Sequence, residues 1–460
     1  MKKLLLSQFG LTVPSSREYR EAALLVKELR EKGNTAYIVG GAVRDLLLGK
    51  SPKDYDVTTS ATPEELALLY PDALSLGAAF GVMSIPRGEK LFIETATYRE
   101  DQDYQDGRRP EKVLYSKTPQ EDVSRRDFTV NALLFDPETE EILDYTSGVQ
   151  DLKKGVLQTV GDPHKRFRED ALRMLRAVRF SVRLDMEMEN GCKDAIRLLA
   201  PLVKKLSGER IREELDKMLT GPRPEKAVKM LSDLGILKEI LPDVEAMRGV
   251  EQPEEFHPEG DVFTHTLLML SHMVNPSVEL AWSVLLHDVG KPLTRRVIDG
   301  RARFYSHEVK GGEMAQKIMT DLKMPAKRIR RVREAVEKHM RFSHVEKMRS
   351  STWRRILGEE DFPLHLELHR LDCISCHAFM ENYLHLLDRA LLLKKENASA
   401  LPPPFLTGKD LILLGLSPSP QLGKLLQEML DLQLEGKIRN KAHAKEIAGR
   451  KIGKIKRCRE

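Results

Sequence analysis

The sequence predicts an α+β fold, with a small mixed sheet in residues 1–143 followed by helices to the end of the chain. Two observations carry this. Strand-type runs, bounded by glycine, proline and aspartate, fall at Tyr37–Val39, Leu74–Ile85 and Leu91–Tyr98. Beyond the turn-rich junction Asp144-Tyr-Thr-Ser-Gly148-Val-Gln-Asp151-Leu152, apolar residues recur at helical spacing instead, and strands segregated from helices make an α+β chain. A third observation is size: 460 residues with 41% hydrophobic give room for three or four domains with ordinary cores. We divide the chain into 1–143, 144–224, 225–398 and 399–460.

Lys+Arg of 75 against Asp+Glu of 70 leaves a net charge of +5, so any nucleic-acid surface has to come from local clusters. Arg108-Arg109, Arg125-Arg126, the run with Lys165, Arg166, Arg168, Arg173, Arg176 and Arg179, and the chain end qualify. Four cysteines make no disulfide framework, and the reducing cytoplasm is the expected setting. Cys373-x-x-Cys376 lacks a second pair for zinc, and buried helix packing explains it. No run of about 18 apolar residues is present, so no membrane span is expected, and Met1-Lys-Lys-Leu-Leu-Leu-Ser is too short for a signal segment.

Taken in order, Ser16 caps a helix of about Arg17–Lys32, whose Ala22, Leu25, Val26 and Leu29 form one apolar face. Tyr37-Ile-Val is a short buried strand that Gly40-Gly41 breaks, and Ala42–Leu48 is a helix ended by Gly49. A Gly-rich strand-to-helix turn offers backbone N–H groups to a phosphate. In the extended Asp54-Tyr-Asp56, side chains two apart share a face, so the two carboxylates stand together as a seat for Mg²⁺. Thr62-Pro63-Glu64-Glu65 opens a helix with a capping box. Phe92, Glu94 and Ala96 alternate with Ile93, Thr95 and Thr97, which makes Glu94 either a third carboxylate of the metal site or a solvated edge residue.

Arg99–Asp122 loses hydrophobic period and reads as a loop, either mobile beside an active site or an inert insertion. Arg125-Arg126-Asp127-Phe128-Thr129-Val130-Asn131-Ala132 offers guanidinium forks to triphosphate oxygens, anchored by Val130, Leu133 and Leu134. Arg168–Phe180 is a helix by period, with Asp170 and Arg173 one turn apart; together they either form an ion pair or read a base's Watson–Crick edge. Ser207–Leu215 is a further charged helix.

The set from Gly40-Gly41-Ala-Val-Arg44-Asp45 through Asp54-x-Asp56, Arg125-Arg126-Asp127 and Glu169-Asp170-x-x-Arg173 resembles, in motif order over about the first 220 residues, the class II tRNA nucleotidyltransferase and bacterial poly(A) polymerase family. The resemblance implies a nucleotidyltransferase head, then a helical neck. It implies that Asp54 and Asp56 hold Mg²⁺, that Gly40, Gly41 and Arg44 lie by the phosphates, and that Arg126, Asp127 and Asn131 lie by sugar and phosphates. Asp170 with Arg173, followed by Arg176 and Arg179, would then template CTP or ATP, braced by the Ser207-Gly208-Glu209-Arg210 helix.

The middle of the chain carries His265, His287-Asp288-Val-Gly-Lys291, His307, His339 and Asp372, nitrogen and oxygen ligands from separate helices for a divalent metal. His287-Asp288 resembles the signature of HD-type metal phosphohydrolases, which implies an HD body, a second divalent metal (Mn, Ni or Fe) and phosphoester hydrolysis; the alternative is a body that only grips tRNA. Leu401-Pro-Pro-Pro-Phe405 is an extended linker. The tail after it is similar to that of many family members, although Ser419 stands where a glycine is common. The implied activity is addition of CCA, or its terminal A, to the 3′ end of tRNA from ATP and CTP, by a monomer or homodimer. Poly(A) polymerases are the nearest rival, but Leu76–Met83 lacks their usual basic pair. The Asp103–Pro110 loop argues against a CC-only enzyme, and an HD phosphohydrolase with an RNA-binding head is the reading from another class.

Overall fold

The computed structural model describes residues 1–457 apart from 78–80, 103–111, 254, 256, 344, 377–378 and 396–398. The expected loop at Asp103–Pro110, with Arg108-Arg109, the middle of Leu76–Met83 and the last three residues of the chain therefore lie outside the described residues. Contacts divide the chain into two compact units, Met1–Glu245 with Asp321–Lys323, and Ala246–Thr320 with Met324–Glu460.

The first unit is built on an eight-stranded mixed sheet. Its strands are β1 Lys2–Leu5, β2 Ala36–Val39, β3 Asp56–Thr59, β4 Leu74–Gly77, β5 Val82–Pro86 and β6 Phe92–Thr97, then, after a separate two-stranded ribbon of β7 Arg99–Gln102 and β8 Lys112–Tyr115, β9 Leu133–Asp136 and β10 Glu141–Asp144. The order is β1-β10-β9-β2-β3-β6-β5-β4, and β3 with β6 is the parallel pair. The capped helix Arg17–Glu31 lays Ala22, Leu25, Val26 and Leu29 on the sheet, all fully buried with Ile38, Val57 and Phe135, and the Ser16 hydroxyl accepts the Tyr19 N–H at 3.2 Å. Burial of those four side chains, about 1.5–3 kcal/mol for each full-sized one, holds the helix in place. Thr62 and Glu65 form the expected capping box.

Four sequence expectations change. Leu74–Ile85 is two antiparallel strands, because Gly81 with φ +63° turns the chain between them. Within the expected loop 99–122, β7 pairs with β8 and Pro119–Ser124 is helical; pairing replaces the missing hydrophobic period. The Arg168–Phe180 helix is broken. Pro163–Glu169 ends where Asp170 turns extended (φ −148°, ψ 107°), and Asp170 Oδ1 accepts the Leu172 N–H at 3.0 Å to start Leu172–Leu184. Finally, the region after 144 is not wholly helical: Val156–Leu157 pairs with Glu187–Met188, and Arg295–Ile298 pairs with Arg301–Phe304. Asp299 and Gly300, both at positive φ, make the two-residue hairpin turn that Asp-Gly favours.

The second unit is otherwise helical. Val262–Ser271 starts at Asp261, which accepts the Thr264 N–H at 2.7 Å, and Val278–Leu286 starts at Ser277, which accepts the Leu280 N–H at 3.1 Å. His307–Asp321, Ala326–Lys338 and Phe362–Ser375 complete the part that matters for its site. In the tail, Thr407 caps Gly408–Leu413, and the proline segment is tied down by Gln433, which accepts the Phe405 N–H at 2.8 Å and donates to the Pro403 carbonyl at 2.9 Å. No described helix is long and apolar enough to cross a membrane.

Candidate functional site

Strand register builds the head's site. Antiparallel pairing sets Asp56 opposite Val39, the last residue before Gly40, and parallel pairing of Val57 with Thr95 brings Glu94 beside Asp56. Tyr55 is buried, so Asp54 and Asp56 both turn to the open face, as the alternation of an extended chain requires. Asp56 keeps accessible surface but is ringed by protein, and its carboxyl is raised to about 6 by burial, then by Glu94, with Asp54 adding to it and Arg126 opposing. Three like charges crowded on one strand end are a seat that a divalent cation relieves.

Gly40 has φ +78°, and a side-chain carbon there would lie 3.5 Å from the Arg126 guanidinium; one on Gly41 would lie 3.5 Å from that of Arg44. Both arginines therefore flank the turn. Arg44 is 3% exposed and fully engaged, donating to Asp45 at 2.8 Å and to Asn131 Oδ1 at 2.5 Å. Arg126 shares the buried Asp122 with Arg125, and burial of that carboxylate is outweighed by the two guanidinium charges, which hold it below its ordinary value. Asp122 was missed in the sequence, although it stands three and four residues before the paired arginines on a helix.

Asp127 is largely enclosed, yet Arg176 at 2.7 Å and N–H groups of Phe128 and Asn131 keep its pKa low. Arg44, Arg176 and Arg179 all lie over the Phe180 ring, at 5.4, 5.2 and 4.2 Å. Arg179 donates to the buried Glu214 at 2.6 Å, and Arg210 donates to Asp170 at 2.8 Å, so Gly208–Leu219 does brace the helix Leu172–Leu184. Asp170 and Arg173 are not paired with each other: Arg173 bonds Glu169 at 2.8 Å and the Arg125 carbonyl at 3.0 Å. Phe180 and Glu214 as hubs were not legible as site residues.

In the second unit the six expected ligands come together. His265, His287 and Asp372 form one close group and Asp288, His307 and His339 another. Nδ1 of His287, His307 and His339 each faces a backbone carbonyl, of Val284, Phe304 and Val336, at 2.8, 2.7 and 2.7 Å. That fixes the tautomer with Nε2 turned inward, as in metal-binding histidines. His339 is lowered to about 4, by burial first, so its inward lone pair is free at neutral pH. His307 and His339 present Nε2 to each other at 3.3 Å, while Nε2 of His265 and His287 stand 3.2 and 3.0 Å from the carboxylates of Asp372 and Asp288 without hydrogen-bond geometry. Inward nitrogen and oxygen atoms crowded in this way fit a divalent metal. A side-chain carbon on Gly290 would collide with the His307 carbonyl, so that glycine lets the two ligand-bearing segments meet. A cavity of about 590 Å³ opens on these residues, with Lys291 held by Asp288 at 2.7 Å and Gln252 at 2.6 Å. His257, Glu259 and Cys376 also join the cluster and were missed; only the Cys-x-x-Cys spacing hinted at them.

One unit thus carries a carboxylate pair beside a Gly–Gly turn, and the other a group of buried inward histidines. Residues 36–158 match the family model described as poly A polymerase head domain, 185–247 that of the probable RNA and SrmB-binding site of polymerase A, and 262–375 that of the HD domain. Three successive segments of the chain thus match models of a poly A polymerase head domain, a polymerase A RNA-binding segment and an HD domain, and its relatives over the first half are CCA-adding enzymes and a poly(A) polymerase. A CCA-adding enzyme of Lactobacillus helveticus is 44% identical over 223 residues, 48% of this chain and 55% of that relative. Poly(A) polymerase I of Haemophilus influenzae is 38% identical over 245 residues, 50% and 54% of the two chains. The matched stretch thus spans about half the length of these relatives. Among solved structures, the Bacillus stearothermophilus CCA-adding enzyme in complex with CTP superposes with a TM-score of 0.73, covering 96% of this chain and 100% of the other at 24% identity, which shows a shared fold.

Proposed function

We propose that the protein is a nucleotidyltransferase that extends the 3′ end of tRNA without a nucleic-acid template, adding CCA or its terminal A from CTP and ATP. The observation that carries this reading is the convergence of Asp54 and Asp56 on the strand end beside a Gly40–Gly41 turn flanked by Arg126. Asp54 and Asp56 would hold Mg²⁺, whose charge would activate the terminal ribose hydroxyl and offset the leaving pyrophosphate. Arg126, still partly exposed, offers its fork to the triphosphate, while Arg44 braces the turn through Asn131. Asp127 positions Arg176, and Asp170 and Arg173 meet the base as acceptor and donor by exchanging Arg210 and Glu169 for its edge.

We divide the work as a head, a base-reading neck, an HD body and a tail, in a cytoplasmic setting. Purified protein given CTP and ATP with tRNA ending before CCA, with tRNA ending in CC, and with an unrelated RNA tests the reading. Incorporation confined to the tRNAs supports it, extension of the CC-ending substrate alone assigns terminal A addition, and repeated AMP addition to unrelated RNA assigns a poly(A) polymerase instead.

A second activity, metal-dependent phosphoester hydrolysis in the HD domain, is favoured by the inward Nε2 atoms around Asp288. Metal analysis of the intact protein against a His287→Ala, Asp288→Ala variant tests it: metal in the first and its loss in the second is expected, and an intact protein that binds none ends the idea.

A further inference from the structure

His265 has two nitrogens and faces two clusters. Its Nε2 lies 3.2 Å from Asp372, on the side of the HD ligands, whereas its Nδ1 lies 2.6 Å from Glu259 and 3.7 Å from Cys376 on the other. On that second side His257 Nδ1 stands 2.9 Å from Glu259 Oε1 and 3.5 Å from Cys376 Sγ, and the four donor atoms all lie within 4.8 Å of one another. Glu259, with 8% of its side chain exposed, leaves Oε2 buried without a hydrogen bond. Oε1 thus takes both imidazoles while Oε2, buried in the same group, keeps its lone pairs free for a ligand.

We propose that His257, Glu259 and Cys376 form a separate site for a borderline divalent cation, Zn²⁺ by preference. Ligand softness selects the metal, because a sulfur donor beside a nitrogen disfavours Mg²⁺ and Ca²⁺. Size agrees: Zn–S of about 2.3 Å and Zn–N of about 2.0 Å in a tetrahedron give a nitrogen-to-sulfur edge of roughly 3.5 Å, matching the 3.5 Å between His257 Nδ1 and Cys376 Sγ. The His265 Nδ1–H donates to Glu259 Oε1 and turns Oε2 toward the cation, so one imidazole serves the HD ligands with one nitrogen and steadies this site with the other. On binding, the Cys376 S–H bond breaks, sulfur keeps the electron pair for the metal, and the proton leaves to solvent. His257 and Cys376 both line the 590 Å³ cavity, so the fourth position opens to the space served by His287 and Asp288. The cation ties the segment carrying His257 and Glu259 to the end of the helix Phe362–Ser375.

The test uses the full chain and zinc alone. Alkylation of Cys376 by iodoacetamide, followed by peptide mass spectrometry with Cys373 as the internal reference, is expected to slow at least tenfold when zinc is added, in wild type and equally in the His287→Ala, Asp288→Ala variant. Cys376→Ser and Glu259→Gln are each expected to hold one zinc fewer than wild type. Equal alkylation with and without zinc overturns the proposal, as does wild-type zinc content in both single variants. Protection that vanishes in the His287→Ala, Asp288→Ala variant also overturns it, by assigning the shielding to metal at the HD ligands. The labelling arm needs no substitution at the cluster, and zinc binding at Cys376 can succeed or fail whether or not the HD ligands hold metal.

Discussion

At Asp56, the carboxyl at about 6 reflects burial and the charges of Glu94 and Asp54, and it fixes two signs. Ionised Asp56 is the form that would bind a cation, so at subsaturating Mg²⁺ the proposed nucleotide addition should fall as pH drops through about 6. For stability, a folded pKa raised above the unfolded value means that the carboxylate opposes folding above pH 6 and not below about 4. Asp56→Asn is therefore expected to raise the melting temperature in Mg²⁺-free buffer at pH 8 by ~1–2 °C, a value kept small because the group is solvent-screened, and to give no gain at pH 3.5. Calorimetry at the two pH values checks it. Glu214 makes the opposite case. It is 2% exposed and is the carboxylate for buried Arg179, so Glu214→Ala leaves a buried guanidinium without its partner. A loss of about 3 kcal/mol follows, read as a fall of roughly 6–12 °C in the melting temperature.

At the level of elements, the break at Asp170 matters most. A continuous helix would have set Asp170 and Arg173 one turn apart as a fixed pair; the extended residue instead gives Asp170 to Arg210 and Arg173 to Glu169. Arg210 is about one-third exposed, so Arg210→Ala should leave the melting temperature within ~2 °C while changing the ratio of CMP to AMP incorporation; an unchanged ratio counts against base choice at Asp170. The amphipathic helices, the Gly–Gly turn and the shared face of Asp54 and Asp56 were legible in the sequence because each follows from local periodicity or glycine conformation. The break at Asp170 was not, because apolar spacing runs straight through a side-chain cap that only the folded chain displays. Asp122, Glu214 and Phe180 escaped notice for a related reason: a buried charge and an aromatic hub acquire meaning from residues distant in sequence. His257, Glu259 and Cys376 lie more than 100 positions apart at their extremes, and spacing alone could not join them.

For the molecule as a whole, two compact units with separate cores predict two calorimetric transitions. Removing transition metal with a chelator while free Mg²⁺ is held constant should lower the transition that contains the buried histidines by several degrees and leave the head's within ~1 °C, since a ligand bound only to the native state stabilises the unit that holds it. Equal shifts in both would contradict the assignment of metal ligands. With a net charge of only +5, the proposed tRNA binding would rest on local arginine clusters, so the affinity should fall steeply between low and physiological salt.

Incorporation of CMP and AMP into tRNA lacking its CCA end, measured for wild type and for an Asp54→Ala, Asp56→Ala variant at saturating Mg²⁺, bears most directly on the central claim. A fall of at least ~1,000-fold with the fold intact is the predicted result, because the two carboxylates hold the charge on which transfer depends. Addition at the wild-type rate would place the chemistry elsewhere in the molecule.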